Sequence, residues 1–446
     1  MSTSTPDRTE KSTSSTRTTS STTSSSRTTK APAAHVIPRP AEGHWPGLAT
    51  PPAHAVRARV AKSLFLRAVD PLNLRVTFPD GTRRGAGGAD SPVLRIIRPD
   101  EFFQRLGSDG LIGLGEAWMV GDWDSDDLPG VLGPMAARMG ALIPAPLQRF
   151  RRVVDRRTPT TEVNDLEGSR ENIHRHYDLS NDLFQTFLDE TMSYSSAWFT
   201  AQGQPDDGED MRLAQERKID GILDLARVGE GSSVLEIGSG WGGLAIRAAQ
   251  RGATVLTVTL SAEQKSLADA RIAAAGLTEK IEVRLQDYRE VTGTFDAVVS
   301  VEMIEAVGKE FWPEYFRTVD SLLKPGGRFG LQTITMPHDR MLATAGSYSW
   351  IHKYVFPGGI IPSLQAIDEV NDAHTTLKVV ESRRLGLSYA RTLARWRETF
   401  LAHQAEVEAL GFDETFVRMW DFYLGYCEAG FATRYLDVWQ LSLGRE

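Results

Sequence analysis

The sequence predicts an α/β protein built on a mainly parallel sheet, with a small α+β domain ahead of it. Three observations carry that reading. From about residue 210 onward, short β-branched runs alternate with amphipathic helical stretches, the pattern of successive βαβ units. One run, Ser233 to Ile237, leads straight into the glycine-rich turn Gly238-Ser-Gly-Trp-Gly-Gly243 and then a helix. Before residue 140 the runs are shorter and punctuated by turn residues such as Pro79-Asp-Gly81.

Taken in order, the 446-residue chain divides into four stretches. Residues 1–50 are read as a disordered tail and a proline-rich linker. Of the first 30 residues 21 are Ser or Thr, which cannot bury enough apolar surface to offset chain entropy. The stretch lacks the apolar half of a transit-peptide helix and any secretory h-region, so a solvated tail is the reading kept. Residues 55–135 form the α+β domain, with strands at Leu74-Arg-Val-Thr-Phe78 and Val93-Leu-Arg-Ile-Ile97 and a helix starting at Pro99. Residues 136–165 make an amphipathic connector. Arg149, Arg151, Arg152, Arg156 and Arg157 lie there among apolar residues, which suits either a solvated helix or a helix lying on an anionic membrane. Residues 166–446 hold the large domain. Its expected helices are Met211–Leu225, 244–250, 262–275 and 310–323. Its expected strands are Ser233–Ile237, Thr254–Thr259, Ile281–Leu285, 297–301 and 328–334, with Lys324-Pro-Gly-Gly327 as the turn before the last.

Charge and cysteine narrow the class. The net charge is −8, and the first 40 residues carry six bases against two acids, so the remaining 406 carry −12. Such a body argues against a nucleic-acid surface. A single cysteine, Cys427, excludes a disulfide framework and a thiolate metal cluster and fits a reducing compartment. His174 and His176 are too poor in partners for a metal pair, so no metal site is expected.

The chemistry-bearing motif is the glycine turn. Gly238, Gly240 and Gly242 lack the Cβ atoms that would hinder close approach of a ligand to the backbone. Dinucleotides use such turns too. Here Glu236 precedes the first glycine, a placement suited to the cationic end of S-adenosylmethionine (SAM). The second strand ends without the acid a dinucleotide ribose would want, and offers Thr259, Ser261 and Gln264 instead. Ser261 also reads as a helix N-cap, with Gln264 completing a capping box. Asp287, after the third strand, is placed to accept from an adenine amino group.

An ordered set of segments then resembles a known family. The segments are His176-Tyr-Asp-Leu-Ser-Asn-Asp-Leu-Phe184, Met192-Ser-Tyr-Ser-Ser-Ala-Trp198, the glycine turn, Ile304-Glu-Ala-Val-Gly308, Tyr354-Val-Phe-Pro-Gly-Gly359, Tyr389-Ala-Arg-Thr-Leu393 and Gly430-Phe-Ala-Thr-Arg434. Together they resemble the cyclopropane-fatty-acyl-phospholipid synthases and mycolic acid cyclopropane synthases. The match is strong over residues 170–446. Over 55–150 it is weaker and resembles the N-terminal lipid-associated domain of phospholipid-acting members.

The resemblance implies a class I SAM-dependent methyltransferase fold with SAM held by Tyr194, Ser195, Glu236, Gly238, Gly240, Gly242, Thr259, Gln264 and Asp287. It implies a bound bicarbonate as general base, contacted by Glu305, Tyr389 and the backbone at Ile334. Two positions depart from the family: Ser196 stands where a cysteine is usual, and Gln332 where many members have histidine. The implied reaction is methyl transfer to the cis double bond of an unsaturated phospholipid acyl chain, giving a cyclopropane. The alternatives are a methylene or 10-methyl branch from the same transfer, a non-catalytic SAM- or lipid-binding protein, and a small-molecule methyltransferase. The implied setting is cytoplasmic, peripheral on the inner face of an anionic membrane, with a homodimer left open.

Overall fold

A computed structural model describes residues 37, 39–40, 43–138, 180–203 and 208–445. The Ser/Thr-rich tail, the five-arginine connector, His174 and His176 lie outside the described residues. Residues 43–50, expected as linker, are seated instead. The Trp45 indole donates to Asp413 at 2.8 Å, and Leu48 is buried with its carbonyl accepting from Arg105. An indole and a leucine gain too much from leaving water to remain on a solvated linker.

The N-terminal part runs α1 (Ala55–Val69), β1 (Arg75–Thr77), β2 (Arg83–Arg84), β3 (Val93–Ile96), α2 (Pro99–Asp109), α3 (Leu111–Met119), β4 (Trp123–Asp124) and α4 (Leu128–Ala137). Its sheet has the order β2-β1-β3-β4, parallel only between β1 and β3. Pro99 opens α2 where a missing N–H costs nothing, and Asp127 caps α4 by accepting from the Gly130 amide. Buried Asp122 accepts from both Arg98 and Arg105, which ties α2 to the turn before β4.

The large part continues with α5 (Asn181–Gln185), α6 (Met211–Leu225), β5 (Ser233–Ile237), α7 (Gly243–Gln250), β6 (Thr254–Thr259), α8 (Ala262–Ala274), β7 (Ile281–Leu285), β8 (Phe295–Val301), α9 (Trp312–Leu322) and β9 (Leu323–Thr335). Then follow α10 (His338–Thr344), α11 (Trp350–Tyr354), α12 (Leu364–His374), β10 (Leu377–Arg384), α13 (Gly386–Ala402), α14 (Gln404–Ala409), α15 (Glu414–Ala432) and β11 (Asp437–Arg445). The seven-stranded sheet has the order β10-β11-β9-β8-β5-β6-β7. Strands β9, β8, β5, β6 and β7 are parallel, and β11 inserts antiparallel between β9 and β10. The expected α/β class and mainly parallel sheet are found.

One expected turn is a bulge instead. Phe295 pairs with Leu323 and Ala297 with Arg328, so residues 324–327 loop out of β9 opposite Asp296 alone. Gly326 takes φ +78°, and Lys324 pairs with Asp296 across 2.9 Å. No helix among the described residues is long and apolar enough to cross a membrane.

The two parts share a core. Residues 38–446 form one compact unit, and a single apolar cluster takes in Phe102 and Trp118 together with Trp396, Trp420 and Phe422. The contact is close at Gly115 on α3, where a Cβ would fall 2.5 Å from the Trp350 ring. Beside it, Glu116 accepts from Lys353 and from the Tyr354 hydroxyl. Trp350, Tyr354, Phe356 and Phe422 thus pack into the seam between the parts.

The sheet also places the site. The chain winds from β5 to β6 and β7 on one side, then crosses to β8 on the other. That reversal opens a crevice at the carboxyl ends of β5 and β8, where open α/β sheets bind ligands.

Candidate active site

A cavity of about 190 Å³ fills that crevice. The β5–α7 turn forms one wall. Gly238 and Gly240 have φ of +95° and +49°, and a Cβ on Gly240 would meet no atom within 4 Å. A side chain there would project into open space, so the glycines keep room for a ligand. Gly242 (φ +83°) faces the other way, toward Ala268 and Ile272, and begins α7.

Glu236, near the end of β5, lines the cavity and is buried. Its Oε2 has no hydrogen-bond partner. Burial pushes its carboxyl up to about 8, against the Thr257 hydroxyl and the charge of Lys218. A buried acid with an unanswered oxygen calls for a cation or an O–H donor, and the cationic amino-acid end and hydroxyls of SAM supply both. Thr259 donates to the Gln264 carbonyl at 2.9 Å, which leaves the amide NH₂ of Gln264 for the cavity. Ser261 also caps α8, accepting from the backbone N–H of Gln264, but the Ser261 N–H donates to Thr259 and not to the Gln264 side chain, so the expected capping box is not formed. Asp287 lines the cavity, with its carboxylate already held by the Arg289 guanidinium through both oxygens.

The 192–199 loop closes the opposite wall. Gln215 on α6 holds it by donating to the carbonyls of Ser193 and Ser195. Tyr194 stacks on Trp396 and donates to the Tyr423 hydroxyl at 2.8 Å, while the Ser195 hydroxyl accepts from Lys218 at 2.7 Å. Lys218 is fully buried, and burial lowers it to about 8 against the opposing pull of Glu302, Asp189 and Glu236.

The residues expected around a small anion converge, but on a side chain of this chain. The Ser196 amide donates to Glu302 Oε1 at 2.9 Å and Gln332 Nε2 to the same oxygen at 2.8 Å. The Tyr389 hydroxyl also hydrogen-bonds Glu302. The Ile334 amide donates to Glu305 Oε1 at 2.5 Å, beside the Thr333 hydroxyl at 2.9 Å. The Ser196 hydroxyl is turned away and donates to the Ala197 carbonyl. The Ser196 and Ile334 amides, the Gln332 side chain and the Tyr389 hydroxyl are therefore committed to carboxylates of the protein and the Ser196 hydroxyl to a carbonyl, so the residues present do not fit a bound bicarbonate.

Glu302 is the residue that sequence reasoning missed. It directly follows β8 with φ +50°, an uncommon backbone state for a non-glycine residue and one that clusters at functional sites. Glu302 lines the cavity, whereas Glu305, Tyr389, Ser196, Gln332 and Ile334 stand behind it. Burial raises its pKa; the donors from Gln332, Ser196 and Tyr389 and the charge of Lys218 work in the other direction. For Glu305, burial first and the Glu302 charge second push the carboxyl up to about 8, and its Oε2 has no partner. Burial raises both adjoining carboxyls, and the Glu302 charge adds to the rise at Glu305, a coupling of the kind acid–base sites use. An acid at the carboxyl end of a central parallel strand was the sequence signal for Glu302. Lys218, also missed, carried only the weak signal of a cation on the apolar face of α6. Among the described residues no group of His, Cys, Asp and Glu is arranged to hold a metal ion.

Comparison with known proteins shows which family the chain belongs to. A family model described as mycolic acid cyclopropane synthetase matches residues 164–441. The chain is 49% identical over 408 residues to the tuberculostearic acid methyltransferase UfaA1 of Mycobacterium tuberculosis, covering 90% of this chain and 95% of that protein. It is 34% identical to the cyclopropane-fatty-acyl-phospholipid synthase of Escherichia coli K12, covering 87% and 93%. Among solved structures, the cyclopropane synthase MmaA2 of Mycobacterium tuberculosis superposes with a TM-score of 0.56 at 29% identity, over 64% of this chain and 98% of that one. Mycolic acid cyclopropane synthase CmaA1, complexed with S-adenosylhomocysteine (SAH) and CTAB, superposes with the same score at 28% identity, over 64% and 98%.

Proposed function

The chain belongs to the mycolic acid cyclopropane synthetase family of SAM-dependent methyltransferases, and from that premise we propose that it methylates the cis double bond of an unsaturated phospholipid acyl chain and leaves a methylene branch. The cyclopropane outcome expected from the motifs becomes the second reading. The observation that carries the choice is Glu302, a carboxylate of the chain itself occupying the donors expected around a free anion.

SAM, when bound, supplies an electrophilic methyl on a sulfonium. Glu236, Gln264 and the open backbone at Gly238 and Gly240 hold and orient it. Once one alkene carbon carries the methyl, its neighbour carries positive charge, and a carboxylate at Glu302, on the cavity wall, stabilises that charge. A hydride shift moves the charge to the methylated carbon. Glu302 then takes a proton from the new methyl, and that C–H pair becomes the methylene double bond. Ring closure to a cyclopropane needs the same proton before the shift. A free anion can adjust to meet it, whereas Glu302 is tethered at a fixed backbone position and held by three donors. Late proton loss follows. The 49% relative is named for tuberculostearic acid, a methyl-branched acid, which supports the same reading.

The test is incubation with SAM and dioleoyl phospholipid vesicles, followed by fragmentation mass spectrometry of the released acyl chains. A methylene-branched chain is the expected product. A cyclopropane as the sole product would return the reaction to the second reading, and SAH release without a change in acyl mass would remove both.

A further inference from the structure

Helix α1 is built in two halves that face differently. Its inner side is anchored: Phe65 makes edge contacts with Phe102 and Phe103 at 5.2 and 5.8 Å, and Val69 is buried. Its outer side turns Val56, Arg59, Val60, Ser63 and Arg67 into solvent, with Arg57 and Lys62 at the margins. Val56 is 73% exposed, the highest value among the exposed large apolar residues described, and Val60 is 55% exposed. The helix carries four bases and no acid, in a chain whose net charge is −8. Arg57, Arg59 and Arg67 have no acidic partner among the described residues, and Lys62 lies over the Phe103 ring at 5.6 Å.

We propose that the outer face of α1 is a docking surface for an anionic membrane. The inference rests on the acyl-lipid reading above for its choice of occupant. Three features point to a bilayer. Bases without acids complement anionic head groups, and the screened attraction adds up along the helix. Valines set between arginines can enter the boundary between head groups and acyl chains while the guanidinium groups stay in the head-group layer. The helix also lies outside residues 164–441, the part that the methyltransferase family model matches, so methyl transfer itself does not call for this face. Because α1 and α3 both pack on α2, and α3 meets Trp350 and Phe422, a membrane held at α1 is joined to the catalytic part through packed helices.

The experiment uses the full chain and co-sedimentation with two kinds of vesicle. One is pure dioleoyl phosphatidylcholine, and the other contains one-third phosphatidylglycerol. Wild type is expected to bind the anionic vesicles, with binding falling as salt rises. The variant R57Q/R59Q/R67Q is expected to lose binding by about tenfold or more at low salt. The variant V56S/V60S is expected to lose binding less salt-dependently. All these side chains are surface-exposed, so SAM affinity by calorimetry and melting temperature should stay as in wild type. Equal binding of wild type to the two vesicles, or unchanged binding of the triple-arginine variant, overturns the proposal. So does loss of binding only when Arg149, Arg151, Arg152, Arg156 and Arg157 are replaced. Arginine-dependent binding to vesicles whose oleoyl chains are never methylated supports the surface and overturns the substrate reading instead.

Discussion

Gln332 on β9 donates its side-chain amide to Glu302 at 2.8 Å, while its carbonyl oxygen accepts from Gln440 on the adjoining strand β11. The amide is thereby fixed in one orientation, and Glu302 inherits that fixity. A histidine at the same place could give or withhold a proton; this glutamine can only donate on that side. The exchange of histidine for glutamine and the presence of Glu302 are therefore one structural arrangement.

The first prediction separates the two carboxyls. Glu302→Gln removes the base and should lower turnover by about 10²- to 10⁴-fold while SAM binding is kept. Glu305 has its carboxyl pushed up to about 8, so it is protonated at neutral pH, and Glu305→Gln copies that neutral state. Its turnover at pH 7 should stay within about tenfold of wild type. Steady-state SAH release on vesicles measures both. The reverse ranking would move the base to Glu305.

Chemical rescue tests whether Glu302 takes the place of a free anion. Glycine suits φ +50° better than glutamate, so Glu302→Gly should fold and bind SAM. It leaves the donors of Ser196, Gln332 and Tyr389 unanswered around a small space. Added bicarbonate or formate should restore part of the lost turnover in this variant and leave wild type unchanged. A wild type that slows in buffer purged of carbon dioxide would contradict the assignment.

How far the sequence reached follows from the kind of signal each feature carries. The β5–α7 turn was legible because glycines, a preceding acid and a following helix are local and mutually consistent. Ser233–Ile237, Thr254–Thr259 and Ile281–Leu285 were placed to the residue because their β-branched runs end at turn residues. The role of Glu302 was hidden because it depends on a left-handed turn after β8 and on partners about 30 to 106 residues away. The bulge at 324–327 was hidden because Pro and Gly mark a break without saying whether the strand resumes. The seam at Gly115 was hidden because a glycine in a helix shows no partner until Trp350 is brought against it.

The pH dependence of turnover follows from the same group. Burial holds the Glu302 pKa above the ordinary carboxylate value. Protonated Glu302 cannot accept a proton, so turnover should fall as pH drops through that raised value and level off above it. Lys218→Met removes a cation that favours the charged form of Glu302. The acidic limb should then move to higher pH. Rate profiles on neutral vesicles measure it, and a limb that stays in place would show that Lys218 does not act on the base.

Cofactor binding is tested at Gly240. A leucine there would project into the cavity and would also meet backbone strain of about 1–2 kcal/mol at φ +49°. Gly240→Ala carries the same strain with little bulk and serves as the control. Calorimetry should show SAM affinity lowered about 100-fold or more in the leucine variant relative to the alanine variant. Equal affinities would place the ligand elsewhere.

The last prediction concerns the product. The two departures from the family are unequal in the structure: Ser196 contributes its backbone amide to Glu302, and its hydroxyl points away. Ser196→Cys keeps the amide and should leave the product unchanged. Gln332→His alters a donor that aims the carboxylate. The double variant Glu302→Gly with Gln332→His goes further, because it removes the tethered base and presents a histidine to an added anion. With bicarbonate present, an untethered base can meet the methyl proton before the hydride shifts, so the ratio of cyclopropane to methylene product should rise. A tenfold change in that ratio needs only about 1.4 kcal/mol between two barriers, within the range that one displaced hydrogen bond supplies. Mass spectrometry of chains made from one oleoyl substrate reads the ratio directly. If it stays fixed in an active double variant, base placement does not decide the outcome. The decision would then lie with how the acyl chain is seated in the cavity, and not with the group that Gln332 aims.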